Sequence, residues 1–125
     1  MVCYNTNMEK KDVLYEIQNK ELYQKALEQM PEENDIFDLA DFFKVMGDST
    51  RLKLLMALES GEFCASDLAN VSGMSRSAAS HQLKALKSAK LIKSRKEGKT
   101  VYYSLDDEHI HSVLKVSLEH ILEDD

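Results

Sequence analysis

At 125 residues, with 43% hydrophobic and 30% charged residues, the chain is long enough for one domain and apolar enough to bury a core. No apolar run approaches the roughly 18 residues of a bilayer span. The opening MVCYNTNMEKKD lacks the apolar centre of a secretory leader, and two cysteines, Cys3 and Cys64, exclude a disulfide framework, so a cytoplasmic protein with no membrane partner is expected. The net charge of −6 argues against nucleic acid only until its distribution is seen: residues 1–45 hold ten acids against five bases, whereas residues 74–100 hold eight bases against the single acid Glu97. A basic segment in an acidic frame is a polarised molecule, and local phosphate binding survives the unfavourable total.

In chain order, residues 12–30 favour helix and carry a weak amphipathic stripe that Pro31 ends. Residues 32–46 set Ile36, Leu39, Ala40, Phe43 and Met46 on one helical face, and Gly47 stops that helix. Ser49 or Thr50 caps the next, whose apolar positions are Leu52, Leu55, Met56 and Leu58; ESGEF is a turn. A short helix follows at about 65–70, then a turn at Val71–Met74 containing Gly73, then a helix from Ser75 to about Ala89 with Ser75 as its cap. Ala79, Leu83 and Leu86, four and three apart, face the core. Arg76, Ser77, Ser80, His81, Gln82 and Lys84 lie opposite. Two short helices about a glycine turn, the second polar outside, form a helix-turn-helix signature. In LIKSRKEGKTVYYSL, Val101, Tyr103 and Leu105 alternate with Thr100, Tyr102 and Ser104, which predicts a hairpin with Glu97-Gly98 at a tip flanked by Arg95, Lys96 and Lys99. The whole is expected to be mainly α with a small β-hairpin, a winged helix-turn-helix in the order α-α-α-α-β-β-α. Residues 1–34 form a helical extension and 35–125 the DNA-binding and dimerisation domain, with a homodimer made through the N- and C-terminal helices.

A major groove about 12 Å wide admits one helix, and short polar side chains near its start reach base edges. Ser75, Arg76, Ser77, Ser80, His81, Gln82 and Lys84 are the candidates there. Arg95, Lys96 and Lys99 are placed for flanking phosphates or the minor groove of double-stranded DNA. Taken singly, the serines also suit capping and surface filling. A lone His81 suits a phosphate, a base or a local hydrogen bond better than a metal.

The last stretch, DDEHIHSVLKVSLEHILEDD, places His109 and His120 eleven residues apart, almost three turns, on one face of a helix but roughly 16 Å from each other. Asp107 lies near the first and Glu123 near the second. Each end offers two ligands, too few for a closed site. An antiparallel pair of such helices brings Asp107 and His109 of one chain to His120 and Glu123 of the other, giving two identical sets of two nitrogens and two oxygens suited to tetrahedral zinc. Ile110, Val113, Leu114, Ser117, Leu118 and Ile121 offer an apolar seam beside them. The same residues also suit the polar side of an ordinary amphipathic helix, with acids favoured near its N-terminus. His111 faces elsewhere and is expected in solvent.

Over residues 35–124 this pattern resembles the ArsR/SmtB family of winged-helix metal-sensing repressors. GDSTRLKLLMAL is similar to the family's GDPTRLxIL, with Ser49 where proline is usual. The stretch GEFCASDL to VYYSL resembles its helix-turn-helix and wing, and Asp107, His109, His120 and Glu123 fill its terminal-helix pattern D-x-H-x10-H-x2-E. The resemblance implies a homodimeric repressor released from DNA by Zn(II), with Co, Ni or Cd as other effectors of such sites. It also implies a second ligand locus at Cys64 and Asp67, where Ser66 replaces a second cysteine and Cys3 is a candidate third ligand. A thiol, redox or soft-metal sensor using Cys64 and Cys3 is the alternative on the same fold. An enzyme is not expected: a zinc hydrolase needs an open coordination position, and four protein ligands leave none. No small organic substrate is implied.

Overall fold

Asn19 and Pro31 bracket the first helix. The computed structural model describes residues 13–123. In it α1 covers Lys20–Gln29, starting later than the predicted residue 12. Asn19 sets the start: its Oδ1 accepts the Leu22 amide at 2.9 Å, and a side chain that caps a helix marks where the helix begins. α2 runs Glu33–Met46. α3 runs Ser49–Ala57, and its cap is Asp48, whose carboxylate accepts the Arg51 amide at 3.0 Å. Ser49 and Thr50 are thus helical residues and not caps. A carboxylate one residue earlier answers the same orphan amides and suits the positive end of the helix dipole. Two compact units are distinguished, the first ending at Asp41 and the second beginning at Phe42, a division that falls inside α2.

Within the second unit, a 3-10 turn at Leu58–Ser60 leads to β1, Phe63–Cys64. This strand is not among the predicted elements, and Phe63 falls in the stretch expected to be a turn. Two residues are too few for alternation to show, and only pairing with a distant strand makes them β. α4 (Ala65–Ser72) and α5 (Arg76–Ser88) follow, then β2 (Ile92–Glu97), β3 (Thr100–Leu105) and α6 (Glu108–Leu122). The sheet is antiparallel in the order β1-β3-β2. Its register pairs Phe63 with Tyr103 and Cys64 with Tyr102 on one side of β3, and Ser94 with Tyr103 and Arg95 with Tyr102 on the other. As the middle strand, β3 is partly buried throughout Val101–Leu105 and does not show the expected alternation. Gly98 turns the hairpin at φ 62°, a conformation open to glycine.

The core joins Met46 of α2 with Leu54, Leu55 and Leu58, Leu68 of α4, Leu83 and Leu86 of α5, Leu91 and Ile92, and Ile110 and Leu114 of α6. Leu54 is fully buried although the apolar spacing does not single it out. Leu52 and Met56, which it does, are only half-buried. Gly73 ends α4 in the left-handed region at φ 67°, where a Cβ is disfavoured, and the Met74 amide donates to the Ala69 carbonyl at 3.1 Å. This 6→1 closure makes the tight turn between the two helices.

The same closure ends α5, with the Leu91 amide on the Leu86 carbonyl and the Lys90 amide on the Lys87 carbonyl, both at 3.0 Å. Here the left-handed position is Lys90, at φ 62°. A side chain in that region costs about 1 kcal/mol. Lys90→Gly is therefore expected to raise stability by up to about 1 kcal/mol and the melting temperature by a few degrees, read by thermal denaturation monitored by circular dichroism. An unchanged or lower midpoint would show that the lysine side chain makes a compensating contribution.

Candidate nucleic-acid interface and metal-ligand pairs

α5 separates two chemistries because its spacing is helical. Ala79, Leu83 and Leu86 are fully buried, so the opposite face, with Arg76, Ser77, Ser80, His81 and Lys84, is left in solvent. The Oγ of Ser75 accepts the Ala78 amide at 3.0 Å, which fixes the start of the helix and orients its remaining first-turn amides outward. Gln82 differs from its neighbours. It is half-buried, and its Oε1 accepts from Arg51 Nε at 2.9 Å, while Arg51 Nη1 donates to the Val45 carbonyl at 3.4 Å. Gln82 is thus tied back to α2 and α3, and Arg51, absent from the candidates named from sequence, is what holds it. No local periodicity announces a pair 31 residues apart.

At the hairpin, Lys96 and Lys99 are exposed. Arg95, expected at flanking phosphates or in the minor groove, is exposed and engaged by two carboxylates. Its Nε and Nη2 meet Glu62 at 2.9 and 2.7 Å, and its Nη1 meets Glu97 at 3.0 Å. The ion pairs hold the Glu62 carboxyl below the ordinary carboxylate range and raise the guanidinium further above its own.

The four candidate metal ligands lie at the two ends of the terminal helix. Asp107 is the cap of α6: its Oδ1 accepts the His109 amide at 2.9 Å and the Ile110 amide at 3.3 Å. Its other oxygen, Oδ2, lies 3.3 Å from His109 Nδ1. The His109 imidazole first, and then the two amides, hold the Asp107 carboxyl below its usual range. The shift is downward, so the cap is at full strength at neutral pH and fades only as pH falls through that lowered value. The 3.3 Å separation fits shared coordination: bonds of roughly 2.0–2.1 Å in a tetrahedron put neighbouring ligand atoms roughly 3.3–3.4 Å apart. At the far end Glu123 follows the last turn, and its amide donates to the His120 carbonyl at 3.3 Å. Among the described residues no three metal-binding side chains converge within the chain; Asp107 and His109 meet at one end of α6, and His120 and Glu123 belong to the other.

The predicted apolar seam of α6 divides. Ile110 and Leu114 are buried in the chain's own core with Val113 against them, because the first half of the helix lies on it. Leu118, Ile121 and Leu122 remain 42%, 75% and 69% exposed. A groove of about 320 Å³ runs between Phe43, Met46, Leu52 and Met56 on one side and Leu114, Leu118 and Ile121 on the other. His111 is not free in solvent as expected: it is half-buried, with Nδ1 2.7 Å from Glu59 Oε2. Cys64 is half-buried at the cap position of α4 and makes no capping hydrogen bond, and Asp67 is exposed in the first turn. Cys3 lies outside the described residues.

Residues 48–94 match the pattern of the bacterial regulatory proteins of the arsR family. The chain is 42% identical over 87 residues to a transcriptional repressor SmtB homolog from Synechocystis sp., a match covering 70% of this chain and 66% of that one. It is 45% identical over 84 residues to a cadmium resistance transcriptional regulatory protein CadC homolog from Staphylococcus aureus, covering 66% and 69%. The chain thus spans about two thirds of the length of each relative. Among solved structures, the homodimeric winged helix-turn-helix DNA-binding domain from Mycobacterium bovis superposes with a TM-score of 0.62 at 27% identity, over 89% of this chain and 94% of that one. The helix-turn-helix, the three-stranded sheet and these matches agree: the chain belongs to the ArsR family of bacterial regulatory proteins.

Proposed function

We propose that the protein is a cytoplasmic, homodimeric transcriptional repressor that holds operator DNA through α5 and the hairpin and lets go of it when Zn(II) is bound by Asp107 and His109 of one chain with His120 and Glu123 of the other. The observation that carries the metal part is the pairing of Asp107 Oδ2 with His109 Nδ1 at ligand–ligand distance, repeated in residue type at the other end of the same helix. Two exposed half-sites on one helix call for a second copy, and the solvent-exposed Leu118, Ile121 and Leu122 give that copy an apolar surface to cover. The names of the relatives, a repressor and a cadmium-resistance regulator, and the homodimeric state of the solved neighbour support the same reading.

When bound, the metal supplies a cross-link between helices of two chains. Asp107, held by the first-turn amides, presents its outer oxygen, and both imidazoles must be unprotonated to ligate. Fixing the two terminal helices fixes the angle between the two α5 helices. Opposition between metal and DNA follows if that angle misfits half-sites one turn apart.

The test is a mobility-shift assay on a duplex selected from a random-sequence pool, first with chelator and then with titrated zinc, cobalt, nickel and cadmium. Retention in chelator and release by zinc are expected. Tighter binding with metal, or no binding in chelator, would overturn the proposal. Release by cadmium alone would move the effector site to Cys64. Release by oxidants with indifference to chelator would favour the thiol sensor.

A further inference from the structure

The wing holds its arginine in a way that DNA contact does not require. Arg95 sits on β2, the outer strand, yet its partner Glu62 immediately precedes β1, on the far side of β3. The guanidinium therefore crosses the middle strand, and on the way it lies over the ring of Tyr102, 4.8 Å from the centroid. The register explains the geometry: Arg95, Tyr102 and Cys64 are direct cross-strand partners, so their side chains share one sheet face. Three strands are thus laced by one side chain, through a forked contact with one carboxylate, a stack on an aromatic ring and a contact with a second carboxylate, Glu97, at the hairpin end of its own strand.

The lacing matters because β1 is short. Only Phe63 and Cys64 pair with β3, and Cys64 is at once the cap residue of α4. Backbone pairing alone gives the hairpin a two-residue hold on the segment that enters the helix-turn-helix. The Glu62–Arg95 fork carries that hold across to the outer strand. Arginine suits this role because its planar fork matches a carboxylate and its face stacks on a ring, and neither property belongs to lysine. The contacts point the same way: two carboxylates already engage the guanidinium, so a phosphate approaching Arg95 must displace one of them.

We propose that Arg95 is a positioning residue that sets the wing against the helix-turn-helix through Glu62 and Tyr102, and that it makes no phosphate contact in the DNA complex. The inference rests on the DNA-binding reading above and assigns the residue a different role within it. The experiment measures affinity for the selected duplex by fluorescence anisotropy across a salt series, for the full chain and its variants. A phosphate contact removed lowers the slope of log K against log salt by about 0.9. Arg95→Met is expected to leave that slope where the wild type has it and to weaken binding by roughly tenfold at every salt concentration, the scale of one lost preorganising pair. Arg95→Lys keeps the cation without the fork and is expected to be as weak. Glu62→Gln is expected to weaken binding too, and to add nothing when combined with Arg95→Met. A slope that falls by about 0.9 in Arg95→Met, or wild-type affinity in Arg95→Lys, would overturn the proposal. Failure of the wild type itself to bind any duplex in a salt-dependent manner would remove the DNA-binding reading instead.

Discussion

The His120→Ala variant is expected to hold its DNA duplex at zinc concentrations that strip the wild type from it. Coupling between an effector and DNA is typically about 1–3 kcal/mol, so the wild type should lose roughly 5–150-fold in affinity on saturation with zinc and the variant almost nothing. DNA affinity without metal should be equal in the two proteins, because His120 lies exposed in the last turn of α6 and belongs to neither α5 nor the hairpin. Asp107 allows a finer cut. It caps α6 with one oxygen and faces His109 with the other. Asparagine caps a helix as well as aspartate does, so Asp107→Asn is expected to keep the fold and lose the response. Lower pH should blunt the response as well, since protons compete with metal for both imidazoles. Zinc-driven release of His120→Ala at the wild-type metal level would show that α6 does not hold the effector. By reciprocity, isothermal titration should find zinc bound more weakly by the DNA complex than by the free protein.

Leu83→Ala is expected to be the most destabilising of the changes considered, by about 2–5 kcal/mol in urea denaturation at fixed protein concentration. Leu83 is fully buried on the inner face of α5 and belongs to the cluster that includes Leu54, Leu55 and Leu68. The adjacent Lys84 is exposed, and Lys84→Ala should stay within about 0.5 kcal/mol. One helix therefore offers opposite results at neighbouring positions: loss of fold at 83, and at 84 loss of DNA affinity with the fold intact. A loss below about 1 kcal/mol at Leu83 would mean that the cavity collapses at little cost.

These contrasts mark what is legible without coordinates. Helical periodicity places Ala79, Leu83 and Leu86 inside, Ser75 at the cap and Gly73 in the turn, because each depends on residues within one or two turns of itself. The ligand types at 107, 109, 120 and 123 are equally plain, being a spacing on a single helix. The departures from expectation have two causes, a distant partner in most cases and a local competition in one. β1 exists only through its pairing with β3. The cap of α3 is Asp48 because a neighbouring side chain wins a local competition for the same amides. Gln82 and His111 have outward-facing positions by periodicity, and each is turned toward a partner, Arg51 and Glu59, distant in sequence.

By itself, then, the order of residues determined the succession of helices, the helix-turn-helix with its hairpin, the polar face of α5 and the placing of the candidate ligands Asp107, His109, His120 and Glu123 at the two ends of α6, since all of these follow from hydrophobic period, capping and turn chemistry over short stretches. Tertiary structure alone decided which cations are free. Arg95 and Lys96 are adjacent in the chain, alike in charge and both exposed, yet among the described residues one is paired with Glu62 and Glu97 and the other with no carboxylate. An ion pair forms between groups that folding brings within reach of each other, and sequence distance carries no record of that reach.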